Sequence, residues 1–234
     1  MITASDAYGL VIVYLLIIVT LLLYVFLKRK DVCLDRRKMI HILIGNFVFI
    51  WWLFDSELPM LVFFTIPFMV LLFLSAPDSE VSFLRQSIIG EASQKGHSYG
   101  LFFYAVSITV LVAFFFDHFI AASIGVIAMS YGDGFGSIVG RRMGKHPIKG
   151  SKTLEGSLGV FTATFIMTLV VVSFYDFIIG QGLYYTSFTG SFPLLLMAFI
   201  AGAFTAVVEL YSPGEYDNLI IPISVALLMA ILGF

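Results

Sequence analysis

Long apolar runs recur along this chain, and they leave few folds open. They occupy residues 8–27, 39–54, 58–74, 97–116, 119–133, 157–177, 192–210 and 219–234. A helix needs ~20 apolar residues to cross the ~30 Å of hydrocarbon in a bilayer. Backbone in lipid must satisfy its hydrogen bonds within its own segment, so such runs form helices. The pattern predicts an all-α, polytopic integral membrane protein with about eight transmembrane helices. Residues 1–234 form a single membrane domain, because the chain has no room for a sizeable soluble one. Only 12% of its residues are charged, against ~25% in an ordinary soluble domain. The first run lacks a small-residue cleavage site, so it reads as a retained span rather than a cleaved signal peptide.

The charges orient the spans. All 13 Lys and Arg residues fall in the first, third and fifth loops between runs. With eight spans these loops share one side, which the positive-inside rule makes cytoplasmic. Both termini are then expected outside, in a cell membrane or a membrane of the endoplasmic-reticulum type. A net charge of −2 gives no footprint for nucleic acid. The single cysteine, Cys33, excludes an internal disulfide framework. The sequence is compatible with a homo-oligomer and fixes no oligomeric state.

The fifth basic loop holds more than orientation requires. Residues 130–159 read SYGDGFGSIVGRRMGKHPIKGSKTLEGSLG. Asp133 closes an apolar run, where a charge is costly and usually has a partner or a task. Gly132, Gly136 and Gly156 belong to a series of glycines that let backbone approach a phosphate closely. Arg141, Arg142, Lys149 and Lys152 supply countercharge, and Arg grips phosphate oxygens in bidentate fashion. A carboxylate among such cations suits Mg²⁺, which takes one or two carboxylates together with substrate phosphates. The segment is neither a P-loop nor a dinucleotide fingerprint. Gly136 and Gly140 also carry the small-xxx-small spacing that packs helices in membranes.

Two further places add polar groups. Residues 207–223 read VVELYSPGEYDNLIIPI, which puts Glu209, Asp217 and Asn218 at the face that carries Asp133. They are oxygen ligands, or ordinary solvated loop groups. Near the start, RRKMIHIL puts Arg37 and His41 four residues apart, on one face of a helix that begins there. A histidine in that position is a possible substrate-side group, and more commonly a packing residue.

The segment YGDGFGSIVGRRMGKHPIKGSKTLEGSLG resembles the CTP-binding region of the dolichol kinase and phytol kinase family of polyprenol kinases. That family belongs with the phosphatidate cytidylyltransferase-like membrane proteins. RRKMIH, the HSYGLFFY opening of the fourth run, and Glu209 with DNLIIP agree with it in order along the chain. The resemblance implies CTP-dependent phosphorylation of a membrane isoprenoid alcohol of the dolichol, phytol or geranylgeraniol type, with Mg²⁺ and with CTP as phosphoryl donor. It implies that Asp133 holds Mg²⁺, and that Lys152, Thr153 and Glu155 form the nucleotide-phosphate region with help from Arg141 and Arg142. Asp217 and Asn218 would complete the metal site or position the hydroxyl. The partners implied are the lipid alcohol, the nucleotide and the bilayer.

Two other readings compete. A phosphatidate cytidylyltransferase-like enzyme would make a CDP-lipid, but such enzymes carry a late PGHGG-DR-D stretch where this chain has SPGEYDN. A transporter or membrane scaffold is the third reading. Charges confined to one face argue against an ion relay, which places carboxylates at mid-bilayer.

Overall fold

The computed structural model describes residues 2–30, 36–94, 99–184 and 193–234, and it is helical apart from one short hairpin. Cys33, Lys95, His97 and Phe192 lie outside the described residues. Five helices are long and apolar enough to cross a membrane: Ala4–Arg29 (α1), Glu57–Leu74 (α3), Phe119–Met143 (α7), Leu154–Gly180 (α8) and Leu194–Tyr211 (α9). Shorter helices are Arg36–Gly45 (α2), Ser82–Arg85 (α4), Ile88–Gln94 (α5), Gly100–Phe114 (α6) and Asp217–Ile231 (α10). The chain divides into two compact units. One comprises Met1–Phe116 with Gly214–Leu219, the other Asp117–Pro213 with Ile220–Phe234.

In the first unit, α1 begins with a capping box. Asp6 accepts the Thr3 amide at 2.9 Å, and Thr3 Oγ1 accepts the Asp6 amide at 3.1 Å. The other Asp6 oxygen accepts the Asp55 amide at 3.0 Å, so this buried carboxylate is satisfied on both sides. Lys28 and Arg29 end the helix where its dipole favours cations.

The second apolar run is not one continuous helix. Asn46 donates its side-chain amide to the carbonyls of Ile42 and Leu43 at 2.9 and 3.1 Å. The helix ends there, and the chain tightens into 3-10 turns at Asn46–Phe49 and Trp51–Leu53.

Helix α3 is interrupted by a π-turn at Leu61–Thr65 and contains Pro67. A proline lacks the N–H that would bond the carbonyl four residues back. That carbonyl, of Phe63, is taken by the Tyr14 hydroxyl at 2.5 Å. Lipid offers no replacement donor, and the Tyr14 bond satisfies the carbonyl that the proline leaves open.

In the second unit α7 is central: 89% of its apolar window is buried. It packs on α8 and α9. The contact with α8 is glycine on glycine. A methyl built on Gly156 would lie 3.3 Å from the Gly136 carbonyl oxygen, and one on Gly159 would lie 3.2 Å from Gly136 Cα. A methyl on Gly136 would overlap Val160. Gly136→Ala is therefore expected to destabilise the protein by about 1–3 kcal/mol through overpacking. Thermal unfolding in detergent checks it. Unchanged stability with weaker nucleotide binding would return Gly136 to a phosphate role.

Asp133 does not end its helix. The chain passes through a π-turn at Ala128–Asp133 and continues helically to Met143. Glycines lower helix propensity, but here they allow α7 to lie close against α8, and that packing keeps the segment helical. Such π-turns occur frequently at functional sites.

Candidate functional site

The polar end of the second unit is built on the hairpin between α7 and α8. Strands Pro147–Lys149 (β1) and Lys152–Thr153 (β2) pair antiparallel, with Lys149 opposite Lys152. The two-residue turn between them has Gly150 at φ 57°, a conformation that suits glycine.

Glu155 holds the base of this hairpin. Its Oε2 accepts the amides of Lys145 and His146 at 3.0 and 3.2 Å, and its Oε1 lies 2.6 Å from His146 Nδ1. Thr153 caps α8, its Oγ1 accepting the Gly156 amide at 3.2 Å. Leu154 closes the base by donating its amide to the His146 carbonyl at 2.9 Å. The hairpin is thus fixed to the first turn of α8.

That fixation aims Lys152. Its ammonium forms an ion pair with the Glu209 carboxylate on α9. Glu209 is only 6% exposed, so the Lys152 ammonium offsets its charge in a low-dielectric place. Asp133 is 3% exposed. Its neighbour Gly132 backs onto both flanking helices. A methyl on Gly132 would overlap the Thr164 hydroxyl and lie 3.5 Å from Thr205 Cγ2, one helical turn before Glu209. Gly132 and Thr205 thus meet where α7 packs on α9.

The other basic groups surround this end. Arg141 and Arg142 are exposed in the last turn of α7, where the helix dipole favours cations. Lys149 is exposed, and its ammonium lies 4.3 Å over the Tyr211 ring.

Among the residues nominated from sequence, the second unit brings together Gly132, Asp133, Gly136, Lys152, Thr153, Glu155, Gly156 and Glu209, with Arg141, Arg142 and Lys149 around them. Gly136 and Gly156 serve the helix contact, and both oxygens of Glu155 are engaged by the hairpin. Asp217, Asn218, Arg37 and His41 belong to the first unit. There Asn218 is buried in the first turn of α10, and Arg37 lies in the first turn of α2. His41 is fully buried. Its ring stacks on Tyr104 at 4.5 Å, and its carbonyl accepts the Tyr104 hydroxyl at 3.2 Å. Sequence reasoning missed His146, Thr164 and Tyr211. The KH dipeptide ahead of Glu155 is the local signal that could have found His146.

Among the described residues no three His, Cys, Asp or Glu side chains gather as a ready-made metal cage. Mg²⁺ bound together with substrate phosphates asks for only one or two protein carboxylates. Buried Asp133, and buried Glu209 paired with Lys152, are carboxylates of the kind that requirement names.

No protein-family profile matches the chain. No solved structure matches it either. Two curated proteins are similar. A phytol kinase of Synechocystis sp. is 32% identical over 201 residues, covering 82% of this chain and 76% of that protein. A probable chloroplastic phytol kinase of Triticum aestivum is 25% identical over 203 residues, covering 84% of this chain and 66% of its own length. Most of the sequence falls under these alignments, and this chain belongs to the phytol kinase family.

Proposed function

We propose that this protein is a CTP-dependent kinase that phosphorylates a membrane isoprenoid alcohol of the phytol, geranylgeraniol or dolichol type. The alcohol oxygen attacks the terminal phosphorus of CTP. The bond to the bridging oxygen breaks, CDP leaves, and the hydroxyl proton is released. The chain crosses the membrane eight times, with the polar end of the second unit at the cytoplasmic boundary and both termini outside.

The observation that carries this reading is the Lys152–Glu209 pair, in the same unit as buried Asp133, in a chain whose relatives are named phytol kinases. Phosphoryl transfer asks mainly for positioning and neutralisation of charge. Asp133 and Glu209 would hold Mg²⁺, which supplies countercharge to the phosphates when bound. Lys152 is held by Glu209 before the nucleotide arrives. Arrival of the triphosphate offers Lys152 a more highly charged partner and frees the Glu209 carboxylate for the cation. Arg141, Arg142 and Lys149 neutralise the remaining phosphate charge. The hairpin fixed by Glu155 keeps Lys152 in reach throughout.

The donor is tested by giving the full chain, in phosphatidylcholine nanodiscs with Mg²⁺ and phytol, equal concentrations of CTP, ATP, GTP and UTP. Phytyl phosphate forming fastest from CTP is expected. Faster product from ATP would overturn the CTP assignment and leave the lipid kinase.

A further inference from the structure

We propose that an apolar cavity in the first unit seats one end of a methyl-branched isoprenoid chain, the tail of the alcohol. The identity of the chain rests on the isoprenoid-kinase reading; the cavity itself does not.

The cavity measures ≈ 80 Å³ and is walled by α1, α2, α3, α5 and α6. Its back wall includes Ile17, Phe64, Leu101 and Ile108, all buried. Its rim includes Leu21, Ile44 and Leu72, which are half-buried, so the space reaches the outer surface of the unit.

Three wall residues carry hydroxyls, and none presents one to the cavity. Thr20 gives its hydroxyl to the Leu16 carbonyl at 2.8 Å. Tyr104 gives its phenol to the His41 carbonyl at 3.2 Å. The Thr65 hydroxyl has no exposed surface and no hydrogen-bond partner. The lining is therefore hydrocarbon throughout. A water there would have no partners, and a headgroup would be desolvated without compensation. What fits is the chain end of a lipid rather than its hydroxyl end.

Size narrows the occupant. An engineered apolar cavity of ~150 Å³ holds a benzene molecule. The space here accepts a segment of about one isoprene unit, and the rest of a long chain lies along the half-buried rim. The wall is also shaped for a purpose beyond close packing. Helix α3 contributes Phe64 and Thr65 from its π-turn, and π-turns cluster at functional sites. The Tyr14 bond to Phe63 and the His41 stack on Tyr104 brace two sides of the same wall.

The test uses the full chain in phosphatidylcholine nanodiscs and a C20 isoprenol carrying a diazirine on its terminal isoprene unit. Irradiation followed by peptide mass spectrometry should place the label on α1, α3 and α6 near Ile17, Phe64 and Leu101. Unlabelled phytol should compete, and oleyl alcohol at the same concentration should not. Label spread over other helices, or equal competition by oleyl alcohol, would overturn the proposal. Ala105 lies in the wall and is 7% exposed. Ala105→Phe fills the space and should remove most of the label that phytol competes for. Undiminished label in folded protein would overturn the proposal as well. Labelling at these residues without phosphorylation of any alcohol would sustain the cavity and overturn the kinase reading. Turnover with labelling elsewhere would do the reverse.

Discussion

Asp133→Asn is expected to abolish phosphoryl transfer while leaving the protein folded and inserted. Asn keeps the size and one oxygen of the side chain but removes the negative charge. Asp133 lies almost wholly out of solvent, so water does not substitute for the lost charge. Removing one group aimed at transition-state charge costs on the order of 10²–10³ in kcat, and loss of a metal carboxylate should reach at least that. Folding should survive, because Asn has nearly the size and shape of Asp and leaves the glycine contacts of α7 with α8 as they are. The checks are turnover with CTP and phytol, and the thermal midpoint of the purified protein. Near-normal turnover would remove Asp133 from the site.

The second large effect is at Lys152. Lys152→Ala removes the cation that faces Glu209 and leaves that carboxylate buried without it. Breaking a buried pair from one side costs about 3–5 kcal/mol; Lys152 is itself 32% exposed, which places the expected loss at the lower end. The apparent affinity for CTP should fall roughly 10–100-fold, the worth of a charge-assisted hydrogen bond to phosphate. Stability and function separate in the double variant Lys152→Met with Glu209→Gln. Neither side chain then carries a charge, so stability should recover, while CTP use should stay impaired and fall below that of Glu209→Gln alone. If CTP use recovers along with stability, Lys152 is a structural residue and its phosphate role fails. Unchanged CTP affinity in the single variant would have the same meaning.

The membrane class was legible from the apolar runs alone, since few folds bury runs of that length. The finer outline was less so. The second run reads as one span because the residues from Ile42 to Phe54 other than Gly45 and Asn46 favour the bilayer; the helix ends at those two, where the Asn46 amide bonds the Ile42 and Leu43 carbonyls. The glycines after Asp133 read as a loop by propensity. Packing against α8 outweighs that propensity, and no local pattern announces the partner. Asp133 was recognisable as a costly charge closing an apolar run, Lys152 as countercharge in a glycine-rich segment, and Glu209 as an oxygen ligand or a solvated loop group. That Lys152 pairs with Glu209, 57 residues away, is a tertiary fact with no local trace. Glu155 illustrates the opposite case. Its place beside Lys152 suggested nucleotide phosphate, whereas its carboxylate is engaged by Lys145 and His146, a consequence of hairpin register. The cavity of the first unit is assembled from five separate helices, and periodicity within any one of them does not reveal it.

Nucleotide product analysis tests the central claim most directly. The purified protein receives labelled CTP and Mg²⁺ with either phytol or phosphatidic acid. A kinase yields CDP and phytyl phosphate with phytol, and no CDP-lipid with phosphatidic acid; that is the result expected. Pyrophosphate and a CDP-lipid appearing with phosphatidic acid, and no phytyl phosphate with phytol, would contradict it and make the protein a cytidylyltransferase.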